Sequence, residues 1–144
     1  MHTFEYVRPA TLAEAVDILA ERGPGARVLA GGTDLLIRLR DGSASATIVV
    51  DVKRIPEMRP SIERVDGHLR IGATTAMTDL LADPQLRALF PALSDAAAVV
   101  GSVQIRNRAT LAGNVCNASP AADTAPPLLV YGAVVDYLVS GALR

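Results

Sequence analysis

Apolar residues recur at helical spacing between positions 12 and 19, where they form one face. Thr11 and Glu14 stand at the start of this stretch in the Thr-x-x-Glu pattern of a capping box, so we predict that a helix begins here. The sequence Gly-Pro-Gly at 23–25 predicts its end, because glycine tolerates positive φ and proline cannot continue the hydrogen-bond ladder.

The next segments alternate between strand and helix patterns. Residues 26–30 form a short apolar run that is typical of a buried strand, and a glycine pair then leads into leucines at helical spacing. A second strand, rich in β-branched residues, is predicted over 47–52. Prolines between positions 53 and 60 indicate a hinge, so we predict two lobes, over 1–57 and 58–144.

The second lobe begins with a hairpin pattern. Apolar runs at 61–65 and 68–71 flank Asp66-Gly67, which is a strong signal for a tight turn between antiparallel strands. A helix is predicted directly after the hairpin, with Thr74 or Thr75 as its cap.

Two further helices are predicted before residue 101, and the helical periodicity then disappears. The segment 102–127 is rich in small and polar residues, and we predict a long irregular loop there. Loops of that length are uncommon in compact proteins and are often functional. A last strand, the first half of a hairpin, is predicted over 133–139.

Composition narrows the classes of function. The 144 residues are 50% hydrophobic and carry a net charge of −1, so a packed core is expected and no electrostatic argument supports a nucleic-acid partner. No apolar run approaches the ~20 residues of a membrane-spanning helix. The single cysteine, Cys116, cannot form an internal disulfide or hold a metal alone, and we expect it to be buried. These features predict a cytoplasmic protein without metal ligands.

The glycine pair lies between a predicted strand and a predicted helix, where a ligand could approach the backbone. Glycine permits close approach, the helix N-terminus offers unpaired amides, and Thr33 adds a hydroxyl donor. This combination suits a pyrophosphate or another anion. The alternative is an ordinary tight turn in which Thr33 or Asp34 caps the helix. The glycine fingerprints of the Rossmann fold and the Walker A loop are both absent.

A second group of candidate binding residues lies in the predicted loop. Thr110 and Asn114 are compact hydrogen-bonding residues, Gly113 allows a ligand near the backbone, and Asp123 could accept a bond from a sugar hydroxyl. The alternative is a structural loop in which the threonine and the asparagine satisfy their own backbone.

Taken together, these segments resemble the flavin-binding subunit of molybdenum-containing hydroxylases, the family of xanthine dehydrogenase and aerobic carbon monoxide dehydrogenase. The resemblance covers essentially the whole chain. It is carried by FEYVRPATLAEA at 4–15, AGGTDLL at 30–36, IGATT at 71–75 and QIRNRATLAGNVCNASPAADTAPPLL at 104–129. It implies an α+β chain with the two-lobed FAD-binding fold of the p-cresol methylhydroxylase type. Family subunits are longer, so the C-terminal part of that fold is expected to be missing.

The resemblance also implies which residues bind FAD. The amides of residues 30–34 would surround the pyrophosphate, and Thr110, Gly113 and Asn114 would contact the diphosphate and ribityl region. No catalytic side chain is assigned, because the flavin carries the redox chemistry. The positions assigned to FAD are Leu29, Ala30, Gly31, Gly32, Thr33, Asp34, Leu35, Leu36, Gly101, Thr110, Gly113, Asn114 and Asp123.

The function implied by the resemblance is electron transfer within a multi-subunit oxidoreductase. A large subunit with a molybdenum cofactor would oxidise the substrate, and a small iron–sulfur subunit would pass electrons to FAD. The electrons would then reach NAD, a quinone or oxygen. Two alternatives stay open: a non-catalytic fragment without flavin, and a flavin reductase of cell-wall precursor synthesis that shares the fold.

Overall fold

The computed structural model describes residues 3–139 and the backbone of 142–143. The chain divides into two compact units, one with the described residues up to Arg59 and from Val135 onward, and the other spanning Pro60–Val134. Short 3₁₀ turns lie at Gly23–Gly25 and Pro56–Met58. The helices and strands are β1 (Glu5–Val7), α1 (Leu12–Arg22), β2 (Ala26–Leu29), α2 (Leu35–Asp41), β3 (Ile48–Asp51), β4 (Ile62–Val65), β5 (His68–Ile71), α3 (Met77–Ala82), α4 (Pro84–Leu89), α5 (Pro91–Val99), α6 (Val103–Arg106), α7 (Leu111–Asn117), α8 (Ala125–Val130), β6 (Leu138–Val139) and β7 (Ala142–Leu143).

A parallel sheet of order β1-β3-β2 organises the first unit. The central strand β3 is the most apolar, and its four residues are all buried, as expected for a parallel strand covered on both faces. Ile48 stands opposite Glu5 on one side and Ala26 on the other, and Asp51 stands opposite Leu29. This register brings the carboxyl ends of β2 and β3 together.

Thr11 caps α1 as predicted, whereas Glu14 bonds to the amide one residue before the cap and not to that of Thr11, so the capping box is incomplete. The Thr11 hydroxyl accepts a hydrogen bond from the Glu14 amide at 3.2 Å, and the Glu14 carboxylate accepts one from the Ala10 amide at 2.7 Å. Gly23, with φ at +54°, ends the helix as predicted. The apolar face of α1 contributes Ala15 to a core with buried side chains from β2, β3 and the segment after β3, namely Ala26, Ile48, Val50, Val52 and Ile55.

The second unit begins with the predicted hairpin. Strands β4 and β5 are antiparallel, with Val65 opposite His68. The two turn residues, Asp66 and Gly67, have φ values of +49° and +82°, the left-handed pair that a two-residue hairpin turn requires. The sequence signal Asp-Gly therefore determines the local structure here.

The helices after the hairpin enclose the core of the second unit. Phe90 and Tyr131 meet edge to face with ring centroids 5.1 Å apart. Asp83 accepts the Leu86 amide at 2.7 Å and so begins α4 at the predicted break. The buried core residues are Met77, Leu80, Leu86, Leu93, Ala97, Ala109 and Leu111.

The prediction of a long irregular loop over 102–127 is wrong. The helices α6, α7 and α8 occupy much of this segment. Ser102 and Thr110 cap the first two of them, each accepting the backbone amide three residues on. These helices have four to seven residues, too few to produce a recognisable apolar period.

Other differences from the sequence predictions have local causes. The three-residue strand β1 was not predicted, because three residues carry too little periodicity. Neither Thr74 nor Thr75 is the N-cap of α3; that position is Ala76, whose amide donates to Asp79 at 3.1 Å. The Thr75 hydroxyl instead bonds to the backbone of Ser61.

The predicted strand over 133–139 is shortened to β6 at its end. Strand β6 pairs with β7 in antiparallel fashion, whereas residues 133–137 have no strand partner in the described part of the chain. A β-branched sequence forms a strand only where a second backbone supplies the hydrogen bonds. Among the described residues, no helix combines the length and apolarity needed to cross a bilayer.

Candidate cofactor-binding site

The predicted glycine turn (residues 29–36) connects β2 to α2 in the first unit. Strand β2 ends at Leu29, α2 begins at Leu35, and the intervening residues lie at the carboxyl edge of the parallel sheet. Ligands of open α/β sheets commonly bind beyond that edge. The glycine turn therefore lies at the edge of the sheet where such ligands commonly bind.

The glycine turn presents backbone amides that are not engaged in the fold. Among the described residues, the amides of 30–34 donate to no backbone carbonyl; the first such bond of α2 runs from Leu36 to Gly32 at 3.0 Å. Asp34 is the N-cap residue, yet its side chain makes no capping bond. The alternative in which Thr33 or Asp34 caps the helix is thus not the arrangement found here. The turn is a set of free donors that suits an anion.

Gly32 is the position in this turn that requires glycine. Its φ is +78°, in the left-handed region. A Cβ built there would lie 2.8 Å from Cδ1 of Leu29 and 3.2 Å from Cδ1 of Leu36. The two leucine side chains flank the glycine and leave its backbone accessible only while no side chain is present.

A buried carboxylate lies at the base of the glycine turn. Asp51, at the end of β3, is 4% exposed and accepts a hydrogen bond from the hydroxyl of Tyr6 on β1. The Lys53 ammonium forms an ion pair with it at 2.7 Å, and the Lys53 backbone amide donates to it at 3.0 Å. The same ammonium donates to the carbonyl of Ala30 at 3.3 Å. This cluster joins the sheet to the glycine turn.

The electrostatics of this cluster keep Asp51 ionised. Burial raises the pKa of its carboxyl, but the hydrogen bonds from Lys53 and Tyr6, with the charge of Lys53, outweigh burial and hold that pKa below its ordinary value. The hydrogen bond to Asp51 raises the pKa of the Tyr6 hydroxyl, because ionised tyrosine could not donate it. The carboxylate is therefore an acceptor fixed by three donors.

The second group of predicted binding residues surrounds α7 in the second unit. Thr110 is 5% exposed and is the N-cap, with its hydroxyl accepting the Gly113 amide at 3.0 Å. The Asn114 amide donates to the Thr110 carbonyl, also at 3.0 Å. Thr110 thus makes the local backbone contact that the structural alternative describes, and its assignment to FAD stays a prediction.

Asn114 does not use its side chain on its own backbone. Its Oδ1 accepts a hydrogen bond of 2.6 Å from the hydroxyl of Thr124, which is fully buried. That bond leaves the two Nδ2 hydrogens of Asn114 as donors. It also links α7 to the residue that follows Asp123, so the structure brings Asn114 and Asp123 into one neighbourhood.

The remaining predicted positions are exposed. Asp123 is open to solvent, and Gly101 follows α5 with φ at +47°. The Arg106 guanidinium donates to the carbonyls of Val100 and Gly101 at 3.2 and 3.1 Å, which fixes this bend. Gly101 therefore lies in an ordered turn, as a residue near a cofactor would need to.

Four residues that were not assigned from the sequence take part in these arrangements, namely Tyr6, Asp51, Lys53 and Thr124. Thr124 holds Asn114, and Lys53 holds Ala30. Lys53 lies outside the quoted motifs, whereas Thr124 lies within the 104–129 stretch but was given no role. Each is separated from its partner along the chain. The one available signal was that Lys53 is the only lysine of the sequence.

The expectation that Cys116 is buried is wrong: its side chain is exposed on α7. The residue of that short helix that packs in the core is Leu111. Within 3–139 and 142–143, no three His, Cys, Asp or Glu side chains are grouped so that they could hold a metal ion.

Comparison with known proteins identifies the family. The family described as FAD binding domain in molybdopterin dehydrogenase matches residues 2–144. The chain is 43% identical over 131 residues to the xanthine dehydrogenase FAD-binding subunit of Escherichia coli, covering 91% of this chain and 44% of that protein. It is 37% identical over 120 residues to the carbon monoxide dehydrogenase medium chain of Hydrogenophaga pseudoflava, covering 83% and 42%. The chain thus spans less than half the length of these relatives.

A solved structure supports the same assignment. The cyanide-inactivated form of Cu,Mo-CO dehydrogenase matches with a TM-score of 0.94 and 29% identity, over 99% of this chain and 50% of that one. The similarity confirms the predicted fold class, and the family match confirms FAD as the cofactor. The chain belongs to the family of FAD-binding domains of molybdopterin dehydrogenases.

Proposed function

We propose that this protein holds FAD as the electron-transfer subunit, or part of it, of a molybdenum-containing hydroxylase. The observation that carries the proposal is the glycine turn with its free amides, in a chain that belongs to this family along its length. The assignment of individual residues to FAD is part of the proposal.

The chemistry of the glycine turn fits a pyrophosphate. A pyrophosphate is an anion that only accepts hydrogen bonds, and residues 30–34 offer backbone amides and the Thr33 hydroxyl as donors. Gly32 keeps the approach free of a side chain, and Leu29 and Leu36 flank it. Leu35 begins the helix whose N-terminal dipole favours the negative charge.

The second unit carries its own group of residues that we assign to FAD. The Nδ2 of Asn114 and the hydroxyl of Thr110 are donors for the diphosphate and ribityl oxygens, and the exposed Asp123 carboxylate is an acceptor for sugar hydroxyls. The Gly113 amide is already bonded to Thr110, and a Cβ at Gly113 would lie 2.7 Å from the Thr110 hydroxyl oxygen, so the role of this glycine is to allow the cap next to the proposed contacts. The Gly101 turn completes the proposed set.

The chain binds and orients the cofactor and contributes no catalytic side chain of its own. FAD, when bound, accepts electrons and passes them on. The residues of the glycine turn would bind the pyrophosphate of FAD. Lys53, which is bonded to Asp51, stabilises the turn through its hydrogen bond to the Ala30 carbonyl. Preorganised donors of this kind lower the cost of ordering the site when the cofactor binds.

The partners in the proposal are a large subunit with a molybdenum cofactor and a small iron–sulfur subunit. The names of the relatives support it, since one is an FAD-binding subunit and another is a medium chain of an enzyme. Electrons would leave to NAD, a quinone or oxygen. We propose the cytoplasm as the compartment, because a chain with a single cysteine cannot form the internal disulfides that are common in oxidising compartments.

The experiment is to isolate the protein from its own cells through a tag and to analyse what accompanies it. We expect released FAD, with molybdenum and iron in two co-purifying subunits. The complex is then reduced by its substrate and offered each acceptor in turn. A preparation with FAD but without molybdenum and iron would contradict the proposed partners. A preparation without FAD would contradict the proposed role itself.

A further inference from the structure

The side chain of Lys53 connects two parts of the first unit that are distant along the chain. Its ammonium lies 2.7 Å from Oδ1 of Asp51 and 3.3 Å from the carbonyl oxygen of Ala30. The lysine side chain is one-third exposed, whereas that of Asp51 is almost fully buried. Lys53 thus reaches from an anchored carboxylate toward the surface, where it meets the glycine turn.

The anchor is held by the sheet and does not depend on the bond to Ala30. Asp51 is the last residue of the central strand β3, and it stands opposite Leu29 in the register with β2. The hydroxyl of Tyr6 on β1 donates to its other carboxylate oxygen. A group that is held by all three strands of the sheet gives the Lys53 ammonium a fixed position.

The glycine turn has few other supports. On one side, the Val52 amide donates to the Leu29 carbonyl at 3.2 Å, and on the other the Leu36 amide donates to the Gly32 carbonyl. Between Leu29 and Gly32, the hydrogen bond from Lys53 to the Ala30 carbonyl is the one made among the described residues. Without this bond, the backbone of residues 30 and 31 would be fixed only through its neighbours on either side.

We propose that Lys53 is a positioning residue for FAD: by holding the Ala30 carbonyl, it directs the amides that follow toward the pyrophosphate. The expected consequence, tighter FAD binding, rests on the proposed function. The ordering of the turn by Lys53 rests on the observed contacts alone. Lys53 bonds to the backbone carbonyl of Ala30. Its charge is balanced by the ion pair with Asp51, so the proposed effect on FAD binding comes from the position of the backbone and not from a net charge near the cofactor.

The test compares three variants in the full chain. Lys53→Met keeps the length of the side chain and removes both ammonium contacts, and Lys53→Arg restores a long cation with several donors. Tyr6→Phe is the matched control, because it removes a different hydrogen bond from the same carboxylate and leaves Ala30 held.

Two quantities are measured for each variant: the Kd for FAD by fluorescence titration, and the hydrogen-exchange rate of the amides 31–34 without FAD. We expect Lys53→Met to raise the Kd about tenfold, which corresponds to about 1.4 kcal/mol. It should also accelerate exchange in the glycine turn. We expect Lys53→Arg to recover most of the affinity. Tyr6→Phe loosens the anchor but keeps the bond from Lys53 to Ala30, so we expect it to change both quantities clearly less than Lys53→Met does.

The outcomes separate this inference from the proposed function. If the parent protein binds FAD and Lys53→Met binds it equally well, the positioning role is refuted while the flavin function stands. Equal losses in Lys53→Met and Tyr6→Phe would also refute it, because they would indicate general destabilisation. If the parent protein does not bind FAD, the proposed function fails, and unchanged exchange in Lys53→Met would then refute the structural part as well.

Discussion

Substitution of Gly32 by alanine perturbs the glycine turn at the point where the structure leaves no room. The new Cβ would lie 2.8 Å from Cδ1 of Leu29, closer than nonbonded carbon atoms approach, at a residue whose φ is +78°. Gly42, just beyond the other end of the same helix, is the matched control. Its φ is +83°, and a Cβ there meets nothing within 4 Å.

The magnitudes follow from these two environments. Both substitutions place alanine in the left-handed region, which costs about 1–2 kcal/mol. Only at Gly32 must the end of the Leu29 side chain also move, at a cost of about 0.5–1.5 kcal/mol for an unfavourable rotamer. We therefore expect Gly32→Ala to be less stable than Gly42→Ala by about 1 kcal/mol. We expect it to weaken FAD binding by at least about tenfold.

The assay is urea unfolding of the two variants, followed by FAD titration under conditions where both are folded. Gly42→Ala should bind FAD like the parent protein, because its strain lies away from the proposed pyrophosphate contacts. Equal FAD affinities in the two variants would refute the assignment of the glycine turn, whatever their stabilities. Equal stabilities would refute the steric reasoning about Leu29.

Four further predictions concern stability and the second unit. Tyr6→Phe should remove a stabilisation that the parent protein has below the unfolded pKa of tyrosine, ~10, and loses as pH rises through the raised pKa of Tyr6; unfolding free energies from pH 8 to 11 test this. Because the pKa of Asp51 is lowered in the folded protein, its ionised carboxylate stabilises the fold above the unfolded pKa, ~4, and this stabilisation is lost as pH falls through the folded pKa. Asp51→Asn should therefore make the unfolding free energy depend less on pH in the acid range, as urea unfolding at several acid pH values would measure. Thr124→Val should weaken FAD binding by about 1 kcal/mol or more in titrations, because Asn114 loses the donor that orients it. Leu80→Ala should cost about 2–5 kcal/mol in urea unfolding, since Leu80 is fully buried in its core.

Local sequence signals predicted the parts of the fold that local chemistry determines. The Thr11–Glu14 pattern begins α1 as expected, and Asp66-Gly67 forms the hairpin turn with both residues at positive φ. In each case the residues that carry the signal also make the contacts. Such features need no knowledge of the rest of the chain.

The segment 102–127 shows why other parts were missed. Its helices are too short to display an apolar period, and they are begun by single caps such as Thr110. The same threonine was predicted as a cofactor residue, and both roles use one hydroxyl. A sequence position that is both a cap and a candidate ligand cannot be resolved by pattern alone.

The support of the candidate site was beyond prediction for a different reason. Tyr6 and Asp51 are 45 residues apart in the sequence, and Lys53 and Ala30 are 23 apart. These contacts exist because β1, β2 and β3 lie side by side in a particular order. The glycine pair between a strand and a helix indicated the glycine turn, and the resemblance to flavin-binding subunits implied its ligand, whereas its supporting residues required the sheet topology.

The most direct test of the central claim is a flavin titration of the purified chain, followed by identification of the flavin released on denaturation. We expect saturable binding of FAD in a stoichiometric amount and weaker binding of FMN, which lacks the pyrophosphate. Binding that is lost in Gly32→Ala but retained in Gly42→Ala would link it to the glycine turn. An absence of binding, or equal affinity for FAD and FMN, would contradict the claim that these residues hold the FAD pyrophosphate.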